Sequence, residues 1–362
     1  MTRAILLCLA ALATACGEPP PRPTPGPGDL PFRGNRTIAP LPKPDITLPD
    51  ADGRPFDFQA ETEGRIALLF FGYTFCPDIC PIHMATLAAA LAEMEPDVRN
   101  GIDVIFVSVD PERDTPERLA SWLATFDSTF VGLRGTPEQI EDALAFYRYP
   151  PPERSADGPV YTVGHPSLVY AYTPDGLSHV MYGPETPQAV WRHDLAMMAG
   201  YPWADAPSAT PADTGAPSDA SGSDADPPAG PPLGAAGDVV VLDAFAPQPP
   251  PNSAAAVYLT LHNTGARADT LVELSSPAAE GASLHDMVTV DGVVRMEAIA
   301  GVALTPGRTV RLAPGARHGM LEGVTPGSLV VGKAAEVTLR FARGGTVTVP
   351  LRVVRYQDLT GG

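Results

Sequence analysis

Apolar and polar positions divide the chain into two regions of different periodicity. In the first region, continuous apolar runs such as Ile66–Phe71 alternate with Ala- and Leu-rich segments such as Met84–Met94. Six consecutive apolar residues predict a strand that is buried on both faces, as in the middle of an α/β sheet. Asp103–Val109 has the same character, and Thr115-Pro116 is typical of a helix start. Strands that alternate with helices predict an α/β domain.

The second region, from Asp238 onward, loses the helical periodicity. It consists of short β-type runs separated by Gly, Pro and Asn turns, and Asp291-Gly292 between two runs is a strong hairpin signal. Many strands at such spacing predict a β-sandwich or barrel. The runs are Val239–Phe245, Ala255–Asn263, Thr270–Leu274, Ser283–Val290, Val293–Met296, Arg308–Leu312, His318–Leu321, Glu336–Ala342 and Thr346–Val354.

Composition sets the limits of these two domains. Residues 17–44 are rich in proline and have no regular apolar pattern, which is typical of a tether. Residues 204–236 are rich in Ala, Pro, Ser, Gly and Asp and contain no Lys or Arg, which predicts a disordered acidic linker. A coil of this length spans on the order of 30 Å, enough for one domain to reach across the other. We therefore predict an α/β domain at 45–203 and an all-β domain at 237–356.

The first 16 residues are typical of a secretory signal. Arg3 precedes a short Ala/Leu-rich stretch, too short to span a bilayer, that ends in small residues before Cys16. A cysteine in this place resembles a bacterial lipobox, which implies lipid on Cys16 as the membrane anchor. The expected location is then the periplasmic side of a bacterial cell membrane. A plain, cleaved secretory signal is the alternative.

Charge and cysteine content narrow the classes of function. The formal net charge of −18 argues against nucleic acid as a partner, because nucleic-acid-binding proteins carry basic patches. An acidic surface suits a basic protein partner or metal cations. Of the four cysteines, Cys8 would be lost with the signal and Cys16 would carry lipid. Cys76 and Cys80 are then the thiols left to react in an oxidising compartment.

The cysteine pair lies where the first buried strand is expected to become a helix. Gly72 allows a turn and Pro81 suits a first helical turn. Backbone N–H groups at a helix start lower thiol pKa values, and a thiolate is both a nucleophile and a soft-metal ligand. Three residues separate Cys76 from Cys80, and residues i and i+4 of a helix share a face. Both sulfurs could therefore bind one ion, although a disulfide is the alternative.

A metal site on these thiols needs a third ligand. The best candidate is His165, in the expected turn before a strand. Two thiolates and one imidazole suit Cu(I) and can accommodate Cu(II). Considered alone, His165 fits an ordinary loop histidine better than a ligand.

Three ordered segments, Phe75–Pro81, Ser108–Pro116 and Tyr161–His165, resemble the Sco/SenC copper proteins. The resemblance covers about residues 44–200. It implies a thioredoxin-like fold with copper on Cys76, Cys80 and His165. The family usually has Asp-His-Ser at the histidine, whereas this chain has Gly164-His165-Pro166. Loss of a carboxylate beside the ligand would affect orientation of the imidazole or contact with a partner.

The second domain carries its own set of soft donors. Ten residues separate His285 from Met296, twenty-one separate Met296 from His318, and Met320 follows after one more. Two imidazoles and two thioethers form a neutral set that favours Cu(I). Singly, the methionines could be core residues and the histidines exposed strand residues. Together their spacing resembles the PCuAC copper chaperones, His-X10-Met-X21-His-X-Met, over about 238–355, which implies a cupredoxin-like β-sandwich.

Other polar residues near the motifs have simpler interpretations. His83 lacks a spaced partner, so a surface or helix-cap role is expected. Met287 stands near the second set, but the signature does not require it. Asp110, Glu112 and Asp114 are expected to be loop and cap residues rather than acid/base catalysts.

The leading hypothesis is a membrane-tethered copper chaperone. The resemblance implies delivery of copper for the CuA centre of cytochrome c oxidase, with the CuA-bearing oxidase subunit as the partner. The linker would allow copper exchange between the two domains. A thiol-disulfide oxidoreductase that keeps the CuA cysteines reduced through Cys76 and Cys80 is the alternative. Copper buffering or redox sensing would use the same ligands.

Overall fold

The computed structural model describes residues 32–156, 161–203 and 231–359. We call residues 32–203 the first module and residues 231–359 the second module. The expected signal, Cys16 and residues 204–230 of the expected linker lie outside the described residues. Within the described ranges, no helix is both long enough and apolar enough to cross a membrane.

The first module is an α/β unit, as predicted from sequence. Its strands are β1 Asn35–Pro42, β2 Thr47–Pro49, β3 Pro55–Asp57, β4 Ile66–Gly72, β5 Ile102–Ser108, β6 Val131–Leu133, β7 His165–Pro166, β8 Val169–Tyr172 and β9 Leu177–Tyr182. Its helices are α1 Phe58–Glu61, α2 Ile79–Ala92, α3 Pro96–Arg99, α4 Pro116–Leu123, α5 Pro137–Phe146 and α6 Gln188–Gly200.

The main sheet of the first module has six strands in the order β1-β9-β8-β4-β5-β6. The central strand β4 runs parallel to β5 and antiparallel to β8. All seven residues of β4 are buried, which explains its unbroken apolar sequence. Thr115 accepts a hydrogen bond from the backbone N–H of Arg118 and caps α4, as its sequence predicts. The sheet therefore places the end of β4 beside the start of α2.

The first module begins earlier than predicted. The expected tether at 17–44 overlaps β1, which pairs with the edge of the sheet at β9. The backbone N–H groups of Arg33 and Gly34 also donate to the buried carboxylate of Asp194. Proline is tolerated on an edge strand, so the Pro-rich composition did not reveal this strand.

The second module is a two-sheet β-sandwich. Its strands are β10 Gly234–Ala236, β11 Val239–Pro247, β12 Ala255–Asn263, β13 Asp269–Ser275, β14 Ala279–Val290, β15 Val293–Ala298, β16 Val302–Leu304, β17 Thr309–Leu312, β18 His318–Val324, β19 Glu336–Phe341, β20 Gly345–Pro350 and β21 Arg352–Val354. A 3-10 turn, Tyr356–Leu359, follows. The strand β10 lies inside the linker expected at 204–236, so that linker is shorter than predicted.

The two sheets enclose an aliphatic core. The larger contains β10-β11-β12-β18-β14-β15, and the smaller has the order β16-β13-β19-β20. Residues from both sheets form one buried cluster, for example Val257 and Leu284 of the larger sheet with Leu339 of the smaller. The Asp291-Gly292 turn joins β14 to β15, with Val290 opposite Val293 and positive φ at both turn residues, as the sequence predicts.

The larger sheet extends across both modules. The short strand β7 of the first module pairs with the outer edge of β15, with Pro166 opposite Val293 and His165 opposite Val294. His165 therefore belongs to the same continuous sheet as the candidate ligands of the second module.

Candidate metal centres

The first candidate centre lies at the end of β4. Cys76 is in the loop after the strand, and Cys80 is in the first turn of α2. The prediction that the two cysteines share one face of a helix is wrong. The helix begins only at Ile79, and Asp78 before it has non-helical backbone angles, φ −124° and ψ −91°. The backbone N–H of Cys76 donates to the carbonyl of Tyr73 at 3.2 Å, and this turn folds the loop back. A loop, rather than a helix face, brings the two sulfurs together.

His165, the third ligand that the resemblance implied, lies beside the two thiols. Its Nδ1–H donates to the carbonyl oxygens of Phe71 at 3.0 Å and Pro166 at 2.8 Å. Because Nδ1 is engaged by these carbonyls, Nε2 is the nitrogen turned towards the thiols, and it lies 3.5 Å from the sulfur of Cys80. The ligand atoms of Cys76, Cys80 and His165 all lie within 4.8 Å of one another. The imidazole is thus held with its metal-binding nitrogen towards the thiols.

Burial and hydrogen bonding shift the pKa values of the two thiols in opposite directions. Burial alone would raise both pKa values, but hydrogen bonds from the side chains of Cys80 and His165 hold the pKa of Cys76 well below its usual value. Burial and the neighbouring Cys76 sulfur raise the pKa of Cys80 well above its usual value. The arrangement therefore favours ionisation of Cys76 before that of Cys80. The sequence predicted lowered thiol pKa values from the N–H groups of a helix start, without distinguishing the two cysteines. The lowering is found at Cys76 alone, where side-chain hydrogen bonds are its main cause.

Two buried carboxylates connect the cysteine loop to the histidine segment. Asp114 accepts hydrogen bonds from the backbone N–H and hydroxyl of Thr74 and from the hydroxyl of Ser108. Asp110 accepts from the hydroxyl of Tyr161, four residues before His165, and from Arg113. Sequence reasoning gave both aspartates only loop and cap roles. They hold the loop and the histidine segment in one arrangement.

The second candidate set lies on the outer face of the second module. His285 is directly opposite His318, and Met320 is directly opposite Ser283. Met296 is opposite Met287, and Met287 lies two residues after His285 on the same face of β14. Residues at alternate positions of paired strands share a face, so the two histidines and three methionines lie together. The structure therefore brings together all four predicted ligands and adds Met287 beside them.

Hydrogen bonds leave one nitrogen of each imidazole available. The Nε2–H of His285 donates to Ser283, whose hydroxyl donates to Glu322. The Nδ1–H of His318 donates to the carbonyl of Ala316 at 2.8 Å. Nδ1 of His285 and Nε2 of His318 are buried and have no hydrogen-bond partner within the described ranges. Such nitrogens fit metal ligands whose rings are oriented by outer-shell hydrogen bonds. The sequence did not predict Ser283 and Glu322 as outer-shell partners of His285.

The two candidate centres adjoin each other through Asp78. A carboxylate oxygen of Asp78, which lies between the two cysteines in sequence, is 3.8 Å from Nδ1 of His318. Burial raises the pKa of Asp78, and His318 and a hydrogen bond from Tyr258 oppose that rise. The side chain of one buried residue therefore spans the space between the two ligand sets.

Comparison with known proteins assigns the two modules. The SCO1/SenC family model matches residues 39–200. Residues 39–200 belong to the SCO1/SenC family. The LpqE-like family model matches residues 239–353, so the chain joins a Sco module to a second, PCuAC-type module. The predicted thioredoxin-like domain and the predicted all-β domain are confirmed.

Individual relatives resemble one module each. Protein SCO1 homolog 1, mitochondrial, of Arabidopsis thaliana is 36% identical over 31% of this chain and 34% of its own length. The copper-bound structure of Bradyrhizobium japonicum ScoI is 31% identical, covers 44% of this chain and 99% of its own, and has a TM-score of 0.39. The copper-bound PCuAC domain from PmoF2 is 25% identical, covers 33% and 96%, and has a TM-score of 0.29. The chain spans between 34% and 65% of the length of the first curated relatives.

His83 has a structural role that its sequence context did not reveal. Instead of the expected surface or helix-cap position, it is 1% exposed and packs against the ring of Phe70 at 4.8 Å. Its Nε2–H donates to the carbonyl of Ser167 at 2.9 Å. This bond ties α2 to the segment after His165. Burial lowers the pKa of His83 to about 4, although the Ser167 bond opposes the shift.

The stability of the metal-free protein is expected to fall between about pH 6.5 and pH 4. Below pH 6.5 the unfolded chain protonates His83 and the folded chain does not, so acid favours unfolding. The contribution is up to about 3 kcal/mol across this window. Urea denaturation at pH 7 and pH 4.5 measures it. The variant His83→Gln, which keeps an N–H donor, should show a smaller loss, and equal losses in both proteins would contradict the assignment.

Proposed function

We propose that the chain is a membrane-tethered, extracytoplasmic copper chaperone that supplies copper for the CuA centre of cytochrome c oxidase. The observation that carries the proposal is the orientation of His165, whose Nε2 points at two buried thiols, with the three ligand atoms within 4.8 Å of one another. Two sulfur donors and one imidazole nitrogen suit Cu(I). Copper is the cargo of this site rather than a catalytic cofactor.

The second ligand set supports a separate role for the PCuAC-type module. Its donors, His285, Met296, His318 and Met320, are uncharged soft groups, which favour Cu(I) over harder cations. A cavity of about 510 Å³ lies between the modules, and its lining includes His285 and Met320. We infer that copper is captured by this set and then exchanges with the thiol site.

The closeness of the two sets supports exchange within one molecule. The separation of 3.8 Å between Asp78 and His318 places the second set beside the cysteine loop. A tether between modules raises their effective concentration to about the millimolar range, so copper can pass without release to solvent. The recipient follows from the resemblance to Sco/SenC proteins, and the location at a bacterial cell membrane follows from lipid expected on Cys16.

Copper stoichiometry tests this proposal. The reduced mature protein should bind two copper ions, and the variants Cys76→Ser and His318→Ala should each bind one. X-ray absorption of the loaded protein should report sulfur and nitrogen neighbours. A protein that binds no copper, or binds it through oxygen alone, would overturn the proposal. In cells, normal copper loading of the oxidase after deletion of the gene would remove the assembly role but leave buffering or sensing.

A thiol-disulfide oxidoreductase is the second candidate function. The observation that favours it is the free, buried Cys76 and Cys80 pair, in which one sulfur has a lowered pKa and the other lies beside it. A thiolate of this kind can attack the disulfide of a client and be released by the second thiol. In that role the first module would keep the CuA cysteines reduced, and the second module alone would deliver metal.

A further inference from the structure

The cysteine loop makes buried polar contacts with the second module. Asp78 is fully buried, and one carboxylate oxygen accepts a hydrogen bond from the hydroxyl of Tyr258 at 2.5 Å. The other oxygen accepts from the backbone N–H of Gly315 at 2.9 Å. Both donors belong to the second module. Asp78 thus satisfies its carboxylate across the boundary between the modules rather than within the first module.

The burial of Tyr258 shows that the outer face of the second module is covered by the first module. Val257 and Leu259 point into the aliphatic core, so Tyr258 between them points to the outer face of β12. An outer-face tyrosine would ordinarily be exposed, but Tyr258 is fully buried. The absence of alternation in the sequence of β12, Ala255–Asn263, reflects burial on both faces. The first module is what covers the second face.

Further contacts surround the loop on other sides. The hydroxyl of Ser253 donates to the carbonyl of Thr74, before Cys76, at 3.4 Å. The hydroxyl of Tyr356 donates to the carbonyl of Pro77, after Cys76, at 3.5 Å. The Tyr356 ring also packs with Ile82 of α2. Segments from the start, middle and end of the second module therefore enclose the cysteine loop.

Gly164, next to β7, leaves room for the close approach of strand β15 to β7. A Cβ atom at this position would lie 3.1 Å from Cγ of Arg295 and 3.2 Å from Cγ1 of Val293, both on β15. These distances are tighter than most Cβ contacts, so a larger residue would force the Arg295 and Val293 side chains to shift. Sco/SenC proteins usually have aspartate here. The glycine in this chain leaves the space that the pairing of β7 with β15 requires.

We propose that the second module is a built-in cover for the Cys76 and Cys80 thiols, positioned by Asp78 and Tyr258 and accommodated by Gly164. The cover accounts for exposures of only 4% for Cys76, 0% for Cys80 and 3% for His165. In the closed arrangement Asp78, between the two cysteines in sequence, lies 3.8 Å from His318 of the second ligand set. An external protein reaches them only after the second module moves away, and residues 204–230 keep it attached.

Thiol alkylation of the reduced, metal-free full chain tests the cover. N-ethylmaleimide should modify Cys76 and Cys80 at least about 100-fold more slowly than in the urea-unfolded chain, as followed by peptide mass spectrometry. Tyr258→Phe removes the hydrogen bond to Asp78, and Gly164→Val adds bulk against β15. Loss of the buried bond to Asp78 should accelerate alkylation of Tyr258→Phe about tenfold or more. Gly164→Val should have a similar effect because the added side chain crowds Arg295 and Val293.

Matched controls separate opening of the cover from general loss of stability. Tyr182→Phe removes another buried tyrosine-to-aspartate hydrogen bond, to Asp194, inside the first module. Gly200→Val adds the same side chain at a helix end where a Cβ meets nothing within 4 Å. Both controls should keep the slow alkylation of the unaltered chain.

The outcomes distinguish the cover from the proposed function, because alkylation is measured without copper. Fast alkylation of the unaltered chain, or rates in Tyr258→Phe and Gly164→Val equal to those of the controls, would overturn the cover whatever the copper stoichiometry. Slow alkylation that both variants relieve would establish the cover even if the purified chain bound no copper.

Discussion

Replacing His165 with alanine is expected to weaken copper binding at the Cys76 and Cys80 pair by more than about 100-fold. Loss of an outer-shell partner costs about 10- to 100-fold in affinity, and loss of a ligand costs more. The imidazole supplies the nitrogen donor, and its Nδ1–H bonds to Phe71 and Pro166 fix the direction of Nε2. Among the described residues, the ligand group at these thiols includes no other histidine or carboxylate.

Competition with a Cu(I) chelator of known affinity measures this loss. The experiment is best done in His318→Ala chains, so that copper binding at the second set does not mask the first. His262→Ala is the control, because His262 lies on β12 and bonds to Thr309 rather than to either ligand set. Unchanged copper content with lost function would count against the copper role. Retained reductase activity without copper would separate the two candidate functions.

Replacing Asp114 with alanine is expected to destabilise the first module by about 4 kcal/mol. The buried carboxylate accepts the backbone N–H and hydroxyl of Thr74 and the hydroxyl of Ser108. Alanine leaves these donors buried and without their acceptor, which costs about 1–3 kcal/mol for each unsatisfied group. Because Thr74 begins the cysteine loop, the variant should also bind copper more weakly at the first centre.

Urea denaturation, followed by the fluorescence of Trp122 and Trp191 in the first module, measures the change in free energy of unfolding. Asp114→Asn keeps one acceptor oxygen in nearly the same shape, so its loss should be about half as large. A full loss in Asp114→Asn would mean that charge, rather than the acceptor positions, stabilises the loop. A loss below about 1 kcal/mol in Asp114→Ala would contradict the anchoring role.

The sequence predicted the parts of the fold that follow from local pattern. The apolar run of β4 and the turn at Asp291-Gly292 each have one strong interpretation, and the structure confirms both. The second ligand set followed from its resemblance to the PCuAC spacing, since methionines and histidines at alternate strand positions would fit core and surface residues equally well. His165 needed the family resemblance, since a single histidine before a strand carries no distinctive pattern.

Features that depend on contacts between distant segments could not be predicted. Nothing in the sequence indicated a role for Asp78 among the three residues between the cysteines, because its partners Tyr258 and Gly315 lie far away in sequence. The strand β7 has two residues, one of them proline, and becomes a strand only because β15 pairs with it. The non-helical backbone at Asp78 was equally hidden, so both cysteines were wrongly expected on one helix face.

The pairing of β7 with β15 also protects the outer edge of the larger sheet. A sheet edge presents unpaired backbone N–H and C=O groups and is a template for pairing with other chains. While the modules are together, His165 and Pro166 occupy part of that edge. Release of the thiols to an outside acceptor therefore also bares a β-edge, and long-lived opening would carry a risk of aggregation as well as of lost copper.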